Sequence, residues 1–330
     1  MATPRFYAAQ MKDSLLDFAS DFARFLVNDL PTFTGPGWTI IEAYDNATVS
    51  RQVPSSATDM DSFTGTFSWK DNTVGVNDWI VLQSNIGGGV NECQAFFRMA
   101  SSTTMQVQLV PLGNWTTGGA AVTTPTKPAT IQPSAVVTMT GFTIRSIYSI
   151  VADEGMFAFL FDQGNTTTNA AWIYVGELEG HRPSDAYPYV IWNLPTSVSY
   201  DTTFAATGNW RRLSALDVDA PNDTGTDLVN GQDAHYYSLV FSFGQYVDRT
   251  FEGVLTLGET RPHPVGIFFS DTGNRHFAGF LRNVYSAHNK LGSVGTFGGE
   301  KYMYRNDRTD DYAGICFLWD QATLYPPDPI

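Results

Sequence analysis

Carboxylates at short spacing are the residues of this chain whose type and spacing best suit chemistry. Glu177 and Glu179 lie two positions apart in the sequence YVGELEG. Side chains at i and i+2 of a β-strand point to the same face, so both carboxylates would share one side of a sheet. Such a pair can supply the two acidic groups of glycoside hydrolysis. The alternative interpretation is two exposed acids at a strand end with no catalytic role.

A second acidic group follows in DVDAPNDTGTD. Its oxygen-bearing side chains surround Gly225 and are Asp217, Asp219, Asn222, Asp223 and Asp227. Ca²⁺ prefers several oxygen ligands from one loop, but the twelfth position from Asp217 is Leu228, where an EF-hand has a bidentate glutamate. The pattern indicates either a bound Ca²⁺ or a solvated turn, and we predict no other cofactor.

Other signatures of chemistry are missing from the sequence. No two histidines have the i, i+4 spacing of a helical zinc pair, so we expect surface or hydrogen-bonded core histidines, with His263 in a loop. There is no G-x-S-x-G elbow, no phosphate-binding loop with its lysine, and no G-x-G-x-x-G after a strand. Cys93 and Cys316 lie far apart in apolar, strand-like sequence, which favours two buried thiols over a disulfide.

The charge balance restricts the partners that we expect. Acidic residues outnumber basic ones 33 to 19, a formal net charge of -14 that would repel a phosphate backbone, so we predict no direct nucleic-acid binding. No apolar run reaches the length of about 18 residues that a membrane-spanning helix needs. The start, MATPRFYAAQMKD, does not fit a signal peptide, and we expect a protein made and kept in a cytosol.

One amphipathic helix is predicted between Arg5 and Leu30. Its apolar stripe recurs at spacings of four and three and consists of Met11, Leu15, Phe18, Phe22 and Phe25. Pro31 ends it. The stripe could pack on the sheet of its own chain or on a neighbouring subunit. Treating residues 1–31 as an N-terminal arm, we take these five side chains as interface candidates.

After Gly37 the hydrophobic pattern changes to a period of two. The first β lobe, residues 36–133, has strands in WTIIEAY, DWIVLQS, NECQAFFRM and TMQVQLVPL, an antiparallel meander that ends in a Thr/Pro/Gly-rich linker. The second lobe, residues 134–330, has nine short aromatic strands and an extended Pro-rich arm from Tyr325. We predict a mainly β fold of antiparallel, sandwich or jelly-roll-like lobes with one N-terminal helix, as one or two domains.

Four segments of the chain resemble virion structural proteins of tailed bacteriophages. They are GPGWTIIEAYD, NDWIVLQS, QGNTTTNAAWIYVGEL and HRPSDAYPYV. The resemblance implies a structural subunit of the tail, baseplate or neck, assembled in the host bacterial cytoplasm and carried in the virion. Its implied partners are other virion proteins and copies of itself in a cyclic homo-oligomer. It identifies no functional residues.

Two other functions remain open. In a carbohydrate-binding β-sandwich that recognises a host receptor, exposed tryptophans such as Trp115, Trp172 or Trp210 would stack on sugar rings. In a glycoside hydrolase, Glu177 and Glu179 would be the catalytic pair. Their sequence partly resembles the E-x-D-x-E signature of jelly-roll glucanases, but Leu178 stands between the two carboxylates and the third acid is missing.

Overall fold

Strands dominate the residues that the computed structural model describes. These residues are 6–12, 14–29, 35–85, 93–111, 137–139, 146–162, 171–180, 189–194, 211–213, 263–271, 274–287, 294–297, 300–306, 314–319 and 321–324. Within them the fold is mainly β, with one α-helix near the N-terminus and antiparallel strand pairs apart from one parallel pair. The predicted fold class is confirmed. The linker from Gly113 to Pro133, the segment HYYSLVFSF and the arm from Tyr325 lie outside the described residues.

The helix α1 (Leu15–Val27) begins and ends with capping groups that its sequence supplies. The Ser14 hydroxyl accepts a hydrogen bond from the Asp17 backbone N–H at 3.1 Å, which satisfies a donor that the first turn leaves unpaired. Asn28 ends the helix in the left-handed conformation with φ 70°, a conformation that asparagine tolerates well. The helix is therefore shorter than the predicted one.

The start of the predicted helix is wrong. Residues Phe6–Lys12 form the strand β1, which pairs antiparallel with β8 (Ser146–Ala152) and parallel with β18 (Gln321–Leu324). Met11 therefore lies on a strand, opposite Ile147. The four-residue spacing from Met11 to Leu15 continues the helical pattern by coincidence, because pairing with distant strands decides the conformation of this segment.

A six-stranded sheet contains all four strands predicted for the first lobe. In chain order its strands are β2 (Thr39–Asp45), β3 (Ser50–Gln52), β4 (Trp79–Gln83), β5 (Cys93–Ser101), β6 (Thr104–Pro111) and β7 (Val137–Met139). Their order in the sheet is β3-β2-β4-β5-β6-β7, so β2, β4, β5 and β6 are consecutive neighbours, as predicted. The thiol of Cys93 is buried at the start of β5.

The larger sheet has twelve strands, including β1, β8 and β18. The others are β9 (Met156–Asp162), β10 (Ala171–Glu179), β11 (Tyr189–Leu194), β12 (Arg211–Leu213), β13 (His263–Asp271), β14 (Asn274–Ala287), β15 (Val294–Phe297), β16 (Glu300–Asn306) and β17 (Gly314–Trp319). The main path is β15-β16-β17-β14-β10-β9-β8-β1-β18; β11 pairs with β10 and β12, and β13 pairs with β14. His263, expected in a loop, begins β13 opposite Ser286, because β14 extends far enough to pair with it.

The aromatic face of α1 joins both sheets. The Phe22 ring centroid lies 5.4 Å from that of Phe97 on β5, and 5.1 and 5.2 Å from those of Phe157 and Phe159 on β9. One cluster of buried residues includes the helix and strands of both sheets. Edge-to-face aromatic contacts of this kind add to the hydrophobic stabilisation of a core.

The interface role predicted for the helical stripe is corrected by this packing. Leu15, Phe18, Phe22 and Phe25 are at most 2% exposed, and they pack in the core of their own chain. The side chain of Met11, on β1, is outside the described ones. Burial of a large apolar side chain contributes about 1.5–3 kcal/mol, so moving this stripe to a neighbour would open the core.

The lobe boundary at residue 133 does not coincide with the division between the sheets. β7 follows that boundary but pairs with β6 of the six-stranded sheet, and β1 precedes it but belongs to the twelve-stranded sheet. Each sheet therefore contains strands from both sides of the linker.

Truncation of Phe22 tests the role of the helix in the core. We expect Phe22→Ala to lower the free energy of unfolding by about 3–5 kcal/mol, because the ring contacts both sheets and leaves a cavity. The control is Val53→Ala, since Val53 is 57% exposed and its truncation should cost less than about 1 kcal/mol. Urea denaturation measures both. Equal losses in the two variants would contradict a core role for α1.

Candidate functional site

The candidate site lies where β10 changes its hydrogen-bonding partner. From Ala171 to Gly176, β10 pairs with β9, and at Leu178 and Glu179 it pairs with β14. Glu177 stands between the two stretches. Buried backbone N–H and C=O groups at such a change need other partners, because leaving them unpaired is costly.

Tyr174 supplies two of these partners. Its hydroxyl donates to the carbonyl oxygen of Glu177 and accepts from the backbone N–H of Arg282 at 3.2 Å. The N–H of Glu177 donates to the carbonyl oxygen of Gly155 at 3.0 Å. Burial raises the pKa of Tyr174 well above its usual value, so the phenol stays protonated and keeps donating.

A partly buried guanidinium group lies between two carboxylates beside this tyrosine. Arg282 Nη1 donates to Glu177 Oε2, and Arg282 Nη2 lies 2.9 Å from Asp153 Oδ2. The Asn283 side-chain amide donates to the same Asp153 oxygen at 2.7 Å. Arginine suits this position because its planar fork can bind two carboxylates at once. We name these four residues together with Tyr174 the β10 clamp.

The turn from β8 to β9 completes the environment of Asp153. Its Oδ1 accepts from the backbone N–H groups of Gly155 at 2.7 Å and Met156 at 3.0 Å. Its carbonyl oxygen accepts from the Trp38 indole N–H at 2.9 Å. Trp38 directly precedes β2, which belongs to the six-stranded sheet. The clamp is therefore connected to both sheets.

Burial and charge act in opposite directions in the clamp. Burial raises the pKa of Asp153, and the neighbouring Arg282 charge opposes part of that rise. For Arg282, burial alone would lower the pKa, but the charges of Asp153 and Glu177 outweigh it and the pKa is raised. Arg282 therefore remains a cation, and its removal would leave two carboxylates without their counter-charge.

The two glutamates singled out from the sequence lie in different environments. Glu177 is 8% exposed and paired with Arg282, Leu178 is 2% exposed, and Glu179 is exposed. Glu177 acts as an ion-pair partner within the fold. Arg282 and Asp153 were missed from the sequence, because Arg282 lies 105 positions from Glu177 and no local pattern relates them.

Other candidate groups are only partly described by the structure. The loop with Asp217, Asp219, Asn222, Asp223 and Asp227 lies outside the described residues, as do Trp115 and Trp210. Trp172 is on β10, but its side chain is outside the described ones. Within the described ranges no three His, Cys, Asp or Glu side chains form a group that could hold a metal ion. None of the described residues forms a helix that is long and apolar enough to span a membrane.

Searches against protein-family models and against curated proteins find no match to this chain.

Removal of the Arg282 charge tests the clamp. We expect Arg282→Met to lower the free energy of unfolding by about 3–5 kcal/mol at pH 7, because two buried carboxylates lose their cation. The loss should shrink at pH 5. Without the guanidinium, the pKa of Asp153 rises further above its unfolded value of about 3.9, so the folded state binds protons more tightly and gains stability as the pH falls.

Urea unfolding at both pH values measures this effect. The double variant Arg282→Met/Glu177→Gln is the control, and it should recover part of the loss because one unpaired charge is removed. The same loss at pH 7 and pH 5 would contradict the clamp.

Gly176 tests the close approach of β10 to the turn before β9. A Cβ atom at this position would lie 2.5 Å from Met156 Cα and closer still to the Gly155 carbonyl oxygen, and the backbone φ is +141°. We expect Gly176→Ala to lower the free energy of unfolding by at least about 3 kcal/mol. The control is Gly65→Ala, where φ is +68° but nothing lies within 4 Å, with an expected loss of about 1–2 kcal/mol. Thermal unfolding measures both losses. Equal losses in the two variants would contradict the close approach of β10 to the turn.

Proposed function

We propose that this chain is a structural subunit of a tailed-bacteriophage virion that acts by protein–protein assembly, in the tail, baseplate or neck. The observation that carries the proposal is that segments resembling virion structural proteins contain β2, β4 and most of β10, which are strands of both sheets. Glu177, one of the two carboxylates singled out for catalysis, is paired with Arg282 inside the larger sheet. The subunit would assemble in the host bacterial cytoplasm with other virion proteins and with copies of itself.

Other charged side chains brace the fold in the same way. Arg24 on α1 donates to Asp29 at 2.7 Å and to the carbonyl oxygen of Lys70 at 2.7 Å. Arg51 of β3 binds both carboxylate oxygens of Glu42 and lies over the Trp79 ring at 5.3 Å. An assembly subunit needs surfaces held in fixed relative positions, and bracing of this kind supplies rigidity.

The described parts of three segments that carry the sequence resemblance lie on strands of both sheets. WTIIEAYD and DWIVLQS contain β2 and β4, which pair with each other, and AWIYVGEL contains most of β10. The resemblance therefore supports a shared type of scaffold, and it leaves open which position in the particle the subunit takes.

The helical stripe expected to serve as an interface is in the core, and β1 is paired along both of its edges. We therefore propose that contacts between copies use other surfaces of the chain. Deleting residues 1–30 would remove a strand and the central helix. That deletion therefore tests folding, and single substitutions on the surface are the better test of assembly.

The oligomeric state of the full-length chain tests the proposal. Native mass spectrometry should find a cyclic oligomer, because a subunit of a symmetric particle presents the same contact surface on every copy. The full chain is also applied to a glycan array and to a panel of polysaccharides, beside Glu179→Gln, which changes the exposed member of the carboxylate pair and leaves the ion pair of Glu177 in place. A monomer that binds one class of glycan would favour the carbohydrate-binding alternative. Hydrolysis that disappears in Glu179→Gln would replace the proposal by a glycoside hydrolase.

A further inference from the structure

We draw no further inference here: the strongest candidate, the buried carboxylates of Asp45 and Asp78 where the turn between β2 and β3 meets the loop before β4, is an acidic cluster whose oxygen atoms all accept hydrogen bonds from backbone N–H groups, and nothing in the described part of the chain points to a ligand there.

Discussion

The larger sheet depends on one constraint. Buried polar groups must find partners where β10 stops pairing with β9 and begins to pair with β14. Tyr174 donates to one backbone carbonyl group and accepts from one N–H group at this point, and Gly155 accepts a third bond. At the same point, the side chain of Arg282 forms ion pairs with Glu177 and Asp153 and so connects β14 to β10 and to the turn before β9. In a buried site each of these groups would be costly without its partner, so β10, β14 and the turn before β9 stabilise one another.

The constraint extends to the other sheet and to the surface. The Trp38 indole binds the carbonyl oxygen of Asp153, and Phe22 packs on rings from both sheets, so the helix belongs to the interior of the fold. A fold braced in this way can tolerate local strain at its surface, and the left-handed Val49 is where the described residues show it.

Much of the secondary structure could be predicted from the sequence, because alternation of apolar residues reports which face of a strand is buried. The period-two pattern identified β2, β4, β5 and β6 and their antiparallel order. The spacing of Phe18, Phe22 and Phe25 identified the helix. The pattern failed at Phe6–Lys12, where apolar residues fit either period and pairing with β8 and β18 decides for a strand. It also missed β3, which is too short to show a period.

The sequence by itself determined that this is an acidic, mainly β chain with one helix near its N-terminus, and that Glu177 and Glu179 lie on one strand. Only the tertiary structure decided what those residues do. Arg282 approaches Glu177 from 105 positions along the chain, and the backbone of Gly176 fits only because the turn at Gly155 lies against it. The spacing of apolar residues along the chain indicates which face of a single helix or strand is buried. Ion pairs and close backbone contacts depend on how distant strands align, and no short stretch of sequence contains that information.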